Sequence, residues 1–290
     1  MNNMRRKLAI ATWDAPRESN IYGRMVLDIE PALAYVDHLR KTSGEKVTLT
    51  TVIGKAVAMA LRATPSLNGY IRLGSYVQHE KVSVAFLVAL EEGANLAKAK
   101  IDDLDKKSVV EATRELKALA DKLRRGEDKA FNKSMGPVRF LPSFILKRML
   151  KFVQFITTNL GWNVPALGLE AFPFGVCVIT NVGIFGLDEG FAPPTPFAAA
   201  PLYVLMGAVK DAPMALDGQV VIRKQITLTA TIDHRFMDGA QGATLAKTMR
   251  ELLANPWKLD GAEGPPALTS LPEGKPASPS ASPQSAPASL

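Results

Sequence analysis

The order of segments along this chain predicts an α/β fold: one domain built on a mixed β-sheet covered by helices. Three observations carry that expectation. Runs with period-two alternation mark strands, as at Leu228–Asp233, where Thr229, Thr231 and Asp233 alternate with Leu228, Ala230 and Ile232. Stretches with apolar residues at helical spacing lie between the strand-like runs. The connections include both a tight hairpin signal, Asp217-Gly218, and longer crossings. With 47% hydrophobic and 22% charged residues in 290, the chain can bury a sizeable core.

The N-terminal region opens with a basic segment and a loop, TWDAPRESN, before a strand, YGRMVLDI. Glu30-Pro31 then starts a helix that Gly44 closes, proline suiting a first helical turn and glycine the position past the last. His38 falls mid-helix as a surface residue. A second helix runs from Thr50 to Ala63 and stops before Pro65, burying Val52, Ile53, Ala56, Val57, Ala60 and Leu61. Two strand-like runs follow, GYIRLGSYVQ and KVSVAFLVAL, with a turn at Glu92-Gly93. The apolar stretch Val84 to Leu90 reads as a strand covered on both faces. Ser108 and Glu111 make a capping box for a helix that reaches Arg125, its basic end suiting a helix C-terminus.

Residues 128–175 break this rhythm and read as an insertion. Within them, 143–156 is amphipathic: Lys147, Lys151, Gln154 and Thr158 line one side, while Phe144, Ile145, Met149, Phe152, Phe155 and Ile156 cover much of the rest. The segment is too short and too charged to span a bilayer, which needs about 20 apolar residues. It reads as an interfacial helix, an acyl-binding lid, an oligomer contact, or a buried helix of the domain. A strand ending in a glycine-punctuated turn covers 172–186, a Pro/Ala-rich loop covers 190–201, and strands cover 202–210 and 219–233. The last helix opens on Asp238-Gly239, with Leu245, Met249, Leu252 and Leu253 on its buried face. The domain is expected to span residues 1–260, and the Pro/Ala/Ser-rich tail 261–290 to be disordered.

Composition excludes several classes. A single cysteine, Cys177 in an apolar run, excludes an intramolecular disulfide framework and fits a reducing compartment. Three histidines (His38, His79, His234) and no Cys/His cluster leave no metal site to expect. The net charge of +7 comes without a nucleic-acid motif, so no nucleic-acid partner is expected; the basic excess fits an anionic ligand such as a phosphorylated cofactor. The apolar stretch before Trp13 is too short for a signal peptide. The expected location is cytoplasmic, with peripheral membrane contact left open.

The most informative stretch is DHRFMDG, residues 233–239. It closely resembles the DHRxxDG signature of the dihydrolipoamide acyltransferases, core enzymes of the 2-oxo acid dehydrogenase complexes and relatives of chloramphenicol acetyltransferase. Further matches occur in the family's order: RRKLAIATW, the helix TVIGKAVAMAL followed by PSLN, the capped helix KKSVVEATREL, and TNVGIFG at 180–186. The resemblance implies a chloramphenicol acetyltransferase-like fold and a CoA-dependent acyltransferase. It implies a homotrimer, with His234 from one chain facing Thr180 of its neighbour. Acyl transfer between a thioester and a thiol needs a base, a task that suits histidine. It also needs a donor for the oxyanion of the tetrahedral intermediate. His234 matches the family's base and Thr180 its oxyanion-stabilising hydroxyl. Asp238 supports the site or caps the helix, or does both. Asn181 is a ligand-binding candidate, and Arg235 either binds ligand or pairs with a carboxylate.

Departures bear on the substrate. No lipoyl domain precedes the catalytic region in this sequence, so a lipoyl group is expected from another chain, a lipoylated protein partner. GANLAKAK at 93–100 replaces the family's G-L-x-x-P stretch, and the polar tail predicts trimers that assemble no further. The acceptor is accordingly a dihydrolipoyl-like thiol or another small molecule. The alternative is a non-catalytic trimeric scaffold that binds a membrane or partner through 143–160.

Overall fold

The computed structural model describes residues 20–90, 95–125 and 141–265. Within these residues eight strands form: β1 (Asn20–Asp28), β2 (Gly69–Arg72), β3 (Ser75–Gln78), β4 (Val84–Leu90), β5 (Asn95–Ile101), β6 (Cys177–Asn181), β7 (Leu202–Leu216) and β8 (Gln219–Asp233). Among the described residues five α-helices accompany them: α1 (Glu30–Ser43), α2 (Leu49–Ala63), α3 (Val109–Arg124), α4 (Ser143–Gln154) and α5 (Gly239–Ala254). Six strands make one mixed sheet in the order β1-β8-β7-β6-β4-β5, while β2 and β3 form a separate hairpin. The pairs β4–β6 and β6–β7 are parallel and the other pairs of the large sheet antiparallel. The expected α/β class and mixed sheet are what is observed.

Local chemistry explains most boundaries. Gly44 ends α1 in the left-handed conformation, its N–H donating to the Arg40 carbonyl, and Pro31 sits in the first turn. The capping box of Ser108 and Glu111 starts α3 with both reciprocal bonds in place. At Asp217-Gly218 both residues have positive φ, the backbone that a two-residue hairpin between twisted strands demands, so β7 and β8 run as one long ribbon.

Helix α2 is the centre of the core. Its predicted stripe is buried, and so are Thr51, Gly54, Lys55 and Ala58, so solvent reaches almost none of it. Gly54 matters here: a Cβ would lie 2.4 Å from the Phe86 ring of β4, so glycine is what lets that strand approach. Even-numbered residues of β7 and β8 such as Val204, Met206, Leu228 and Ile232 join this helix-side core. The opposite sheet face carries Val178 and Tyr203, packed with Ala200, Leu87, Phe174 and Ala192. The loop following Gly186 crosses that face and meets β7 so closely that a Cβ on Gly207 would collide with the Asp188 carbonyl. Thr229 donates to the Gly190 carbonyl beneath it. The strand expected to be half-buried is therefore covered on both sides: Thr229 and Thr231 are as inaccessible as Leu228.

Four expectations change. The run 69–78 is two strands, because Leu73 and Gly74 both take positive φ and fold it into a hairpin. Residues 95–101 form β5, unanticipated because Ala97 and Ala99 are weak strand formers; they are nonetheless buried against α3. The strand sought across 172–186 is limited to β6, with a short 3-10 turn at Gly183–Phe185. In α4, read as either an exposed or a buried helix, most of the large apolar side chains face outward. Leu146 is buried, the following turn buries Thr157 and Thr158, and Phe144, Phe152 and Phe155 are 69%, 64% and 43% exposed. The buried hydroxyls are satisfied by the carbonyls of Val153 and Gln154, which is why threonine can face inward. The turn at Glu92-Gly93, the N-terminal basic segment and most of the tail lie outside the described residues. Among the described residues no helix is long and apolar enough to cross a membrane.

Candidate active site

His234 follows the last residue of β8. The strand's end is secured by the Asp233 N–H, which donates to the Pro201 carbonyl at 2.9 Å. A turn follows, anchored by the buried side chains of Phe236 and Met237 and by the Phe236 N–H on the Asp233 carbonyl. The imidazole is exposed, and its Nδ1 lies 2.8 Å from the Met237 carbonyl oxygen. A carbonyl can only accept, so the proton of a neutral ring sits on Nδ1. Nε2 is left with its lone pair outward, the form a general base requires.

Asp238 is the N-cap of α5: its carboxylate accepts from the Ala240 N–H, and its own N–H donates to the Gln241 side-chain oxygen. This capping box sets the start of α5 five residues after His234 and so holds the turn that carries Met237. Arg235 points outward and forks onto the Asp233 carboxylate with Nε at 3.0 Å and Nη2 at 2.5 Å. Asp233 also accepts from the Arg235 N–H at 3.0 Å. The pair closes the turn from outside.

Thr180 lies elsewhere. It is half-buried near the end of β6, paired with Leu205 of β7, and no hydrogen bond of its hydroxyl is found among the described residues. Asn181 faces the opposite side of the sheet, as successive strand residues must. Its amide donates to Thr50 Oγ1 at the start of α2, at 3.1 Å, so it secures a helix end and does not share a face with Thr180.

The register separates the two reactive groups within one chain. Leu202 pairs with Ile232 and Leu205 with Thr229, so continuing the register puts His234 level with Ala200, while Thr180 is level with Leu205. That is five residues along β7 and two strand spacings across. At about 3.3 Å per residue and about 4.8 Å per strand, the separation is on the order of 15–20 Å. One chain presents His234 at one end of the sheet and Thr180 towards the other.

The remaining titratable groups fit structural roles. Burial pushes the Cys177 thiol well above its ordinary range and the Tyr203 hydroxyl up to about 12. His79 packs among the rings of Tyr70 and Phe172, and burial, with the nearby charge of Lys100, lowers it to about 4. Among the described residues no cluster of His, Cys, Asp or Glu could hold a metal ion. Met237, Pro201 and Thr50 were not anticipated from sequence, because each acts through a backbone carbonyl or a contact distant along the chain. The Asp238 cap and the pairing of Asp233 with Arg235, two residues apart, were open to sequence reasoning.

Three comparisons place this geometry. Residues 1–132 and 166–260 match the model of the 2-oxoacid dehydrogenases acyltransferase catalytic domain. The unmatched stretch between them contains α4. The succinyltransferase component of the Haemophilus influenzae 2-oxoglutarate dehydrogenase complex is 29% identical over 80% of this chain and 47% of its own length. The mitochondrial counterpart from Saccharomyces cerevisiae is 26% identical over 78% of this chain and 39% of its own. The chain thus spans less than half the length of these curated relatives. The fold is shared with dihydrolipoamide acetyltransferase from Azotobacter vinelandii, with a TM-score of 0.61 and 19% identity over 89% of this chain and 87% of that one. A serine, a histidine and an asparagine have been investigated in that enzyme's catalytic mechanism.

Proposed function

Since the chain belongs to the family of 2-oxoacid dehydrogenase acyltransferase catalytic domains, we propose that it is a CoA-dependent acyltransferase acting on a dihydrolipoyl-like thiol. The observation that carries the reading is the His234 Nδ1–H bond to the Met237 carbonyl, which leaves Nε2 as the base. Nε2 takes the proton of the attacking thiol as its sulfur bonds to the thioester carbonyl carbon. The oxyanion so formed accepts a hydrogen bond from the Thr180 hydroxyl of a neighbouring copy. Collapse breaks the original C–S bond, and Nε2–H returns the proton to the departing thiolate. CoA is a substrate here, and the lipoyl group is supplied by a lipoylated protein. Asp238 acts by positioning the His234 turn, and Asn181 and Arg235 hold the elements on which the reactive groups sit.

Compared with the Azotobacter vinelandii enzyme, the histidine is shared and the spacing is similar, with threonine in place of serine and aspartate in place of asparagine. In the Azotobacter vinelandii enzyme the asparagine follows the histidine by four residues and the serine precedes it by 52. Here Asp238 follows His234 by four residues and Thr180 precedes it by 54. The separation of His234 and Thr180 within one chain supports a homotrimer in which each site is shared by two subunits. The exposed aromatic face of α4, with Arg148 and Lys151 on the same helix, supports a peripheral contact with an anionic membrane surface. A single free, buried cysteine supports a reducing, cytoplasmic setting.

The activity test is release of thiol from acyl-CoA in the presence of dihydrolipoamide. His234→Ala is expected to lower kcat by at least about a hundredfold, the low end of a general base's contribution. A variant as active as the wild type would refute His234 as the base.

A further inference from the structure

Between α5 and the sheet lies a cavity of about 220 Å³ whose walls are almost entirely apolar. It exists because small residues face one another across the gap. Gly23 of β1 pairs with Ala230 of β8, and Gly242 and Ala246 stand one turn apart on the facing side of α5. A helix packed on a sheet normally fills that layer with large side chains. An apolar cavity of roughly 150 Å³ stays dry and takes up a molecule the size of benzene, so this one has room for a comparable hydrocarbon.

Its position gives it a use. Ile232 and Met237, both in its wall, flank His234 in sequence, and the Met237 carbonyl holds the imidazole. We propose that this cavity receives the hydrocarbon portion of the acyl group, and that the preferred substrate is an apolar acyl thioester of about four to eight carbons. Acyl groups ending in a carboxylate, such as succinyl, are disfavoured because the walls are almost wholly apolar and the cation among them, Arg24, is engaged by Glu189 at 2.6 Å. The inference rests on the acyl-transfer reading and names its substrate class.

The test pairs turnover with binding. The hexanoyl-CoA to acetyl-CoA ratio of kcat/KM is measured for the wild type and for two variants that fill the cavity from opposite walls, Ala246→Leu and Gly23→Val. A Cβ at Gly23 would make only an ordinary 3.8 Å contact with Ala230, so the strand has room for it. The wild type is expected to favour hexanoyl over succinyl by about tenfold or more, and each variant to lower the hexanoyl-to-acetyl ratio by about tenfold or more. Binding of S-hexanoyl pantetheine, followed by calorimetry, is expected to weaken in parallel. An unchanged ratio in both variants, or equal loss on both substrates in both, overturns the cavity's role and leaves acyl transfer standing. Absence of turnover with any acyl-CoA, together with hexanoyl binding that the variants weaken, overturns the acyl-transfer reading and leaves the cavity standing.

Discussion

At position 234 one backbone carbonyl decides which ring nitrogen can act as a base. The motif supplies the histidine, but the tautomer follows from Met237, three residues on, turning its carbonyl towards Nδ1. Asp238 is equally local: its carboxylate caps α5, so its influence on His234 runs through the start of that helix. His79 is the contrasting case, a histidine that folding keeps neutral. Its value falls from 6.5 to about 4, chiefly through burial and secondly through Lys100. The unfolded chain therefore takes up this proton at a higher pH than the folded one. Stability associated with His79 is complete above pH 6.5 and declines as the pH drops from there towards about 4. Thermal unfolding of His79→Gln should show a shallower loss of Tm across that window than the wild type; parallel curves would exclude the effect.

At the scale of elements, legibility tracked how local the determining forces are. Strand β8 was found at its observed limits because period-two alternation and the Asp217-Gly218 turn are written in adjacent residues. The α3 cap was equally readable in Ser108 and Glu111. Strand β5 was not, since its alanines favour no strand and are held by pairing with β4 and packing on α3. Helix α4 shows the limit of periodicity: the pattern established two faces, and only the neighbours decided which would be buried. Its outward phenylalanines lead to a prediction at this scale. The wild type should co-sediment with anionic phospholipid vesicles, and Phe144→Ser/Phe152→Ser should reduce the bound fraction severalfold, because both side chains are already in solvent and their replacement leaves the fold intact. Equal binding of the two proteins would remove α4 from any membrane contact.

For the whole molecule, the sheet presents His234 and Thr180 towards different ends, so under the proposed mechanism a single chain lacks a complete site. If each site is shared, two inactive variants can rescue each other. Subunits carrying His234→Ala and subunits carrying Thr180→Ala, co-refolded in equal amounts, should regain about a quarter of wild-type activity, the share of ring interfaces that pair an intact His234 with an intact Thr180. No recovery in mixtures shown to contain both subunits would place the two groups in one chain's site, against the register.

What the sequence by itself determined were the features built from neighbouring residues: the candidate base in DHRFMDG, the caps and turns, the long strands and the family whose ordered motifs they match. These depend on hydrogen bonds and periodicities that span a few residues, so a linear reading reaches them. Only the tertiary structure decided the separation of His234 from Thr180, the outward face of α4 and the cavity beneath α5. Each of those depends on contacts between segments far apart in the chain, where strand register and helix packing set the distances and no local pattern records the outcome.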